Sequence, residues 1–311
     1  VLNGSTAVPA PSTHATPAGC DFPPGEGIIW LASYPKSGNT WTRTFLSNYF
    51  REDSDAADIN ALYGGPIASS RLLFDHAVGI EAVNLLPQEI ENLRPGVYQW
   101  MRGSAAHVRF VKAHDAWKRT ALGEELFPTA VTHTTIYIVR NPLDVAVSAA
   151  HHGGQSLELT VMQLCDEGHS LASSRPDSAP QLHQYIGSWT THVRSWLRNG
   201  NHRVHLVRFE DMLRDSGDAF SRMLRFMSVE VDSARLQDAI DASRFEKLQQ
   251  QERERGFRER RPRSTAPFFR KGKAGSWREE LPAELAARVL AVHGETMREL
   301  GYLDAAGRPV F

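Results

Sequence analysis

Cysteine is nearly missing from this chain. Of 311 residues only Cys20 and Cys165 carry a thiol, which excludes a disulfide-stapled fold and leads us to expect a reducing, cytoplasmic setting. No apolar run approaches the ~20 residues that cross a bilayer, so no membrane partner is expected. The first residues lack the basic flank and apolar core of a secretory leader. An excess of one charge is missing too: 35 Lys and Arg stand against 36 Asp and Glu, a balance that argues against nucleic acid as partner. So is a metal spacing. His151, His152, His169 and His183 are scattered without matching carboxylates, so no metal is expected and they read as structural or pocket residues. What remains is a chain long enough for a large α/β core.

The informative stretch begins at Ile28-Ile29-Trp30-Leu31, a short apolar run that reads as a buried strand. Tyr34-Pro35 stops it, because proline has no amide donor and biases its predecessor away from the α region. Lys36 to Thr40 form a tight polar loop in which Gly38 can adopt backbone angles that a side chain forbids. From Trp41 onward Phe45, Leu46, Tyr49 and Phe50 follow helical spacing. Strand, lysine-bearing loop and helix together make a phosphate site: loop amides and the helix N-terminus converge on the anion and the lysine adds a full charge. The Walker loop places lysine directly after glycine, whereas here Lys36 precedes Gly38.

The whole string Tyr34-Pro35-Lys36-Ser37-Gly38-Asn39-Thr40-Trp41 resembles the 5′-phosphosulfate loop of the cytosolic-type sulfotransferases. These enzymes use 3′-phosphoadenosine 5′-phosphosulfate (PAPS) and release 3′-phosphoadenosine 5′-phosphate (PAP). Ile138 to Ser148 resembles the family's 3′-phosphate motif, with Arg140 and Ser148 on the two binding positions. Phe269 to Trp277 is similar to its Arg-Lys-Gly loop. Arg270, Lys271 and Gly272 are in place there, while Ser276 replaces an aspartate and Arg278 a lysine. Val108 to Asp115 alternates as a strand that delivers Lys112 and His114 on one face. The resemblance makes His114 the general base, with Asp115-Ala116 where the family has Leu-Pro. Lys112, on the same face, is placed to steady the sulfuryl oxygens. Phe209 stands where a tyrosine helps hold adenine, keeping the ring without the hydroxyl, and Phe245 where a phenylalanine stacks on it.

Elsewhere the reading is coarser. Residues 1–27 look like a flexible arm, and 51–60 like a surface loop. Residues 61–107 look irregular, with short helices near Leu72 and over 87–93 and loop around Tyr98 and Trp100. Strands are expected over 135–139 and 204–209, and helices from Pro142 and over 181–197, 218–228, 233–243 and 282–300. The arginine-dense run 249–278 reads as a solvated loop. Pro282-Ala283 interrupt the family's dimer motif, so the oligomeric state stays open.

The expectation is one α/β domain over 28–311, with a mostly parallel central sheet flanked by helices and ligands beyond the carboxyl ends of its strands. The expected reaction is in-line sulfuryl transfer from PAPS to a hydroxyl of a small-molecule acceptor, a phenol or an alcohol, or to an amine. Two alternatives stand beside it: a P-loop small-molecule kinase using ATP and magnesium, and a non-catalytic nucleotide-binding or scaffold protein.

Overall fold

Ile28, Trp30 and Ala32 belong to one core cluster, and Ile29 and Leu31 to another. All five are fully buried. A strand apolar on both faces belongs inside a layered sheet, and β1 (Ile28–Ser33) sits there. A computed structural model describes residues 23, 25–51, 55–105, 107–172, 180–199, 202–261, 264 and 266–311. In it β2 (Arg109–Ala113), β1, β3 (Thr132–Val139) and β6 (Val204–Arg208) form, in that order, a parallel four-stranded sheet. Two short strands, β4 (Ser170–Leu171) and β5 (Gln184–Tyr185), pair antiparallel apart from it. Most of the sequence-read arm lies outside the described residues, although the Gly27 carbonyl already accepts from the Arg109 amide at the start of the sheet.

The helices are α1 (Asn39–Tyr49), α2 (Arg71–Val78), α3 (Pro87–Gly103), α4 (Pro142–Gly153), α5 (Leu157–Leu164) and α6 (Trp189–Leu197). They continue with α7 (Phe209–Arg214), α8 (Ser216–Phe226), α9 (Ser233–Ala242), α10 (Phe245–Arg255), α11 (Trp277–Glu280) and α12 (Ala283–Glu299). On one sheet face Trp30 meets Tyr98 and Phe127 edge-on, with ring centroids 5.0 and 4.8 Å away. On the other, Phe45 of α1 stacks on Phe220 of α8 at 3.9 Å. The sheet order puts β1 between the strand that follows it and the one after that. The strand order therefore reverses between β1 and β3, the place where open α/β sheets take their ligands. The register sets Ala32 beside Ala113 and Val139 beside Arg208, so residues 34–36, 114, 140 and 209 leave the sheet at one edge.

Three expectations need correction. The helix read over 181–197 starts only at Trp189, where the Ser188 side chain caps it by accepting from the Thr191 amide. Gln184 and Tyr185 are a strand instead. Tyr98 and Trp100 lie inside α3, which continues through Pro95; Tyr98 is a fully buried core residue there. The arginine-dense run is partly helix, since α10 extends to Arg255 with Leu248 and Glu252 buried.

Candidate active site

The loop between β1 and α1 is built under strain. Lys36 has a left-handed backbone φ of 71° and Gly38 one of 106°, angles that side chains rarely adopt. A Cβ on Gly38 would lie 2.8 Å from the Phe209 ring. Only glycine fits, because the loop rests on that ring. Asn39 anchors the turn, donating to the Leu31 carbonyl at 2.8 Å and to Ser33 Oγ at 3.2 Å. Gly38 precedes α1 without a side-chain cap, which leaves first-turn amides for an anion. The Ser37 hydroxyl is buried with no protein partner among the described residues. An orphan donor at a helix start fits a phosphate oxygen.

Lys36 lies with its Nζ 3.7 Å from the Phe268 ring centroid. Burial, then the neighbouring charges of Lys112 and Arg140, lower its pKa to about 7. Sequence reasoning missed Phe268, although it directly precedes Phe269-Arg270. Trp41 stands edge-on to Phe209 at 5.7 Å.

Arg140 leaves β3 and bridges two of the sequence motifs, donating to the Lys36 carbonyl at 3.4 Å and the Lys273 carbonyl at 3.0 Å. Its guanidinium stacks on Phe209 at 4.3 Å, and its buried Nε has no partner among the described residues. Ser148 lies half-buried on α4. Two carboxylates that drew no notice in the sequence shape the third motif. Asp144, in the first turn of α4, accepts from the Gly275 and Trp277 amides and from Ser276 Oγ at 2.7–3.0 Å. Glu280 accepts from Arg270 and His151, and pairs with Lys271, at 2.8–2.9 Å. Burial pushes the Glu280 carboxyl up, but the bonds from Lys271, His151 and Arg270 outweigh it and hold the group at about 2. A cleft of ≈470 Å³ opens here, lined among others by Phe245, Gln249, Arg270, Lys271 and Lys273. Gly272, with φ of 61°, lets the backbone pass so close to Phe245 that a Cβ would lie 2.5 Å from its ring.

His114 follows β2 and donates from Nδ1 to the Ser33 carbonyl at 2.9 Å. A carbonyl only accepts, so Nδ1 carries the proton and Nε2 is the ring's basic nitrogen. Burial, then the Lys112 charge, lowers the His114 pKa to about 3, so the ring is neutral at pH 7. Behind it the Tyr137 hydroxyl, 2.8 Å from His192 Nδ1, and His192 Nε2, 3.0 Å from the His114 carbonyl, fix the chain. Asp115, where the resembling family has leucine, makes a buried pair with Arg94. The substitution is therefore compensated inside the core. Lys112 donates to Glu259 at 2.8 Å, and Arg43 on α1 donates to the same carboxylate. Arg43 was legible in principle, as a charge on the buried face of a helix one turn beyond Thr40; Glu259, inside an arginine-rich run, carried no signal. His152 stands edge-on to the Phe268 ring at 5.5 Å, the ring that Lys36 also touches, and burial, then the Lys36 charge, lowers its pKa to about 3. No group of His, Cys, Asp and Glu able to hold a metal occurs among the described residues.

A profile of the family described as "Sulfotransferase domain" matches residues 27–301. The chain belongs to that family. Human sulfotransferase 1E1 is 24% identical over 279 residues, covering 86% of this chain and 83% of the human one. Mouse sulfotransferase SULT7A1, solved with PAP, is similar in structure at a TM-score of 0.54 and 19% identity, over 92% of this chain and 88% of that one. Retinol dehydratase, solved with androsterone and PAP, gives 0.59 and 19% over 88% and 81%. The α/β sulfotransferase fold, with its four-stranded parallel sheet, is thereby the one expected from the sequence. This sulfotransferase works on the family's donor, PAPS. The kinase and scaffold alternatives fall with that assignment. No helix among the described residues is long and apolar enough to cross a membrane.

Proposed function

We propose that this sulfotransferase moves the sulfuryl group from PAPS to a hydroxyl of a small-molecule acceptor in line, in the cytoplasm, with His114 as base. The observation that carries the reading is the Nδ1–H bond to the Ser33 carbonyl, which leaves His114 Nε2 as the ring's proton-accepting nitrogen at the end of β2, beside Lys112. PAPS supplies a sulfuryl group on a phosphate leaving group. In this reading Lys36, Ser37 and the amides of 38–41 hold the 5′-phosphate, and Lys36 stabilises the charge that gathers there as the bond breaks. The orphan Ser37 hydroxyl and the helix start support this role. Arg140, Ser148, Arg270, Lys271 and Gly272 hold the 3′-phosphate, supported by the unpartnered Arg140 Nε. Trp41, Phe209 and Phe245 offer rings to adenine. Lys112 steadies the sulfuryl oxygens and His114 takes the acceptor's proton. Androsterone in retinol dehydratase supports a hydroxyl acceptor of similar size.

The test compares PAP with adenosine 5′-phosphate by calorimetry. Charge-assisted bonds are worth about 1.5–3 kcal/mol each, so PAP should bind far more than tenfold tighter. Equal affinities would remove the 3′-phosphate assignment. Turnover of PAPS with phenols, alcohols and amines, each alone, then identifies the acceptor class.

A further inference from the structure

Glu259 reaches the transfer centre from the irregular segment after α10. One carboxylate oxygen accepts from Lys112 Nζ at 2.8 Å and from the Thr40 hydroxyl at 3.4 Å; the other accepts from Arg43 at 2.5 Å. Two of these three donors have roles in the reading above, Thr40 in the phosphate loop and Lys112 beside the base. The third, Arg43, is buried and fixed by its own bond to the Tyr63 carbonyl at 2.7 Å. The Glu259 charge also acts on Lys36 and His114, two of the groups assigned to the reaction.

Resting on the sulfuryl-donor reading, we propose that Glu259 is a resident anion on the donor's own subsite, so that the phosphosulfate end of PAPS enters by displacing this carboxylate from Thr40 and Lys112. Both ligands are anions and both need the same donors, and two unscreened anions cannot share them. Displacement is local. Phe257 is buried against Phe268 and Phe269, and the Arg258 amide is held by Asn60, so the backbone on that side stays anchored. The Glu259 side chain is 29% exposed and has a short path to water. Arg43 then becomes a cation that opens to the donor once the carboxylate leaves. The contact makes donor affinity a competition: the observed Kd is the intrinsic one divided by the fraction of molecules with Glu259 withdrawn.

Calorimetric titration of PAP, without acceptor, into wild type, Glu259→Gln and Glu254→Gln tests this. Glu254 is exposed on the same arginine-rich segment and accepts from Gln250 at 2.8 Å, so its variant reports the general effect of removing one negative charge. Glu259→Gln is expected to bind PAP about tenfold more tightly or better, as follows if the seated carboxylate is the major state, while Glu254→Gln stays near wild type. Thermal melting checks that each variant folds; if Glu259→Gln does not, Glu259→Asp, one methylene shorter, should show a smaller tightening. Equal tightening in both Gln variants, or unchanged affinity at position 259, overturns the proposal. Weaker binding with lower turnover overturns it too and makes Glu259 a residue that positions Lys112. If PAP binds neither wild type nor the variants, the donor reading fails and the displacement with it. Binding by wild type without the predicted gain removes the displacement alone.

Discussion

The Nδ1 proton of His114 is held by the Ser33 carbonyl at 2.9 Å, a bond between the ends of two adjacent parallel strands. β1 thus delivers both the loop proposed to hold the 5′-phosphate and the group that sets the tautomer of the proposed base. The base can be placed relative to the donor without any flexible element between them.

If His114 takes the acceptor's proton, its loss should hurt most where that proton is hardest to remove. His114→Ala is expected to lower turnover about a hundredfold or more with an aliphatic alcohol, and progressively less with more acidic phenols. Rates over a series of substituted phenols give the slope. A loss independent of phenol pKa, in a folded variant, would leave His114 a packing residue.

Lys36 carries a pKa lowered to about 7 by burial and by Lys112 and Arg140. An anionic donor favours its protonated form, so above pH 7 binding must be accompanied by proton uptake. PAP affinity should therefore fall as pH rises from 7 to 9, by up to about tenfold per unit, and this slope should flatten in Lys36→Ala. Saturated turnover of that variant should drop about a hundredfold or more. Titrations at three pH values and one rate measurement decide both points.

Gly272 and Gly79 share a left-handed backbone, but only Gly272 has a ring in the way. Its added Cβ would meet Phe245 at 2.5 Å, whereas nothing lies within 4 Å of one on Gly79. Either alanine should cost roughly 1–2 kcal/mol of stability through the backbone. Only Gly272→Ala should also weaken PAP binding, because Phe245 must leave its place in the cleft. Equal PAP affinity in the two variants would show that the Phe245 contact is irrelevant to the nucleotide.

Burial holds His114 and His152 at about 3 and His192 and His293 at about 4. In the unfolded chain they take up protons near 6.5. Between these values the unfolded state binds more protons, so stability rises with pH through the window and is lost as pH falls below 6.5 toward 3. Thermal melts at pH 8, 6.5 and 5 should show little change over the first step and a clear drop over the second. A flat profile would mean that the four rings are not kept neutral by the fold.

The sequence by itself determined the strand–loop–helix at 28–50, the strands read over 108–115, 135–139 and 204–209, and the positions of Lys36, His114, Arg140 and Arg270. Each of these is written locally, as an apolar run, a proline stop or a glycine where the backbone turns left-handed. Tertiary structure decided the rest. The helix expected from residue 181 shortened because Ser188 caps it from Trp189, a bond that periodicity does not register. Asp115 became a core residue because Arg94 meets it from a helix some twenty positions earlier. Asp144, Glu280 and Glu259 hold the motifs in place although nothing around them in the chain marks them. An isolated carboxylate has no period, and its role comes from the cations and amides that folding brings to it.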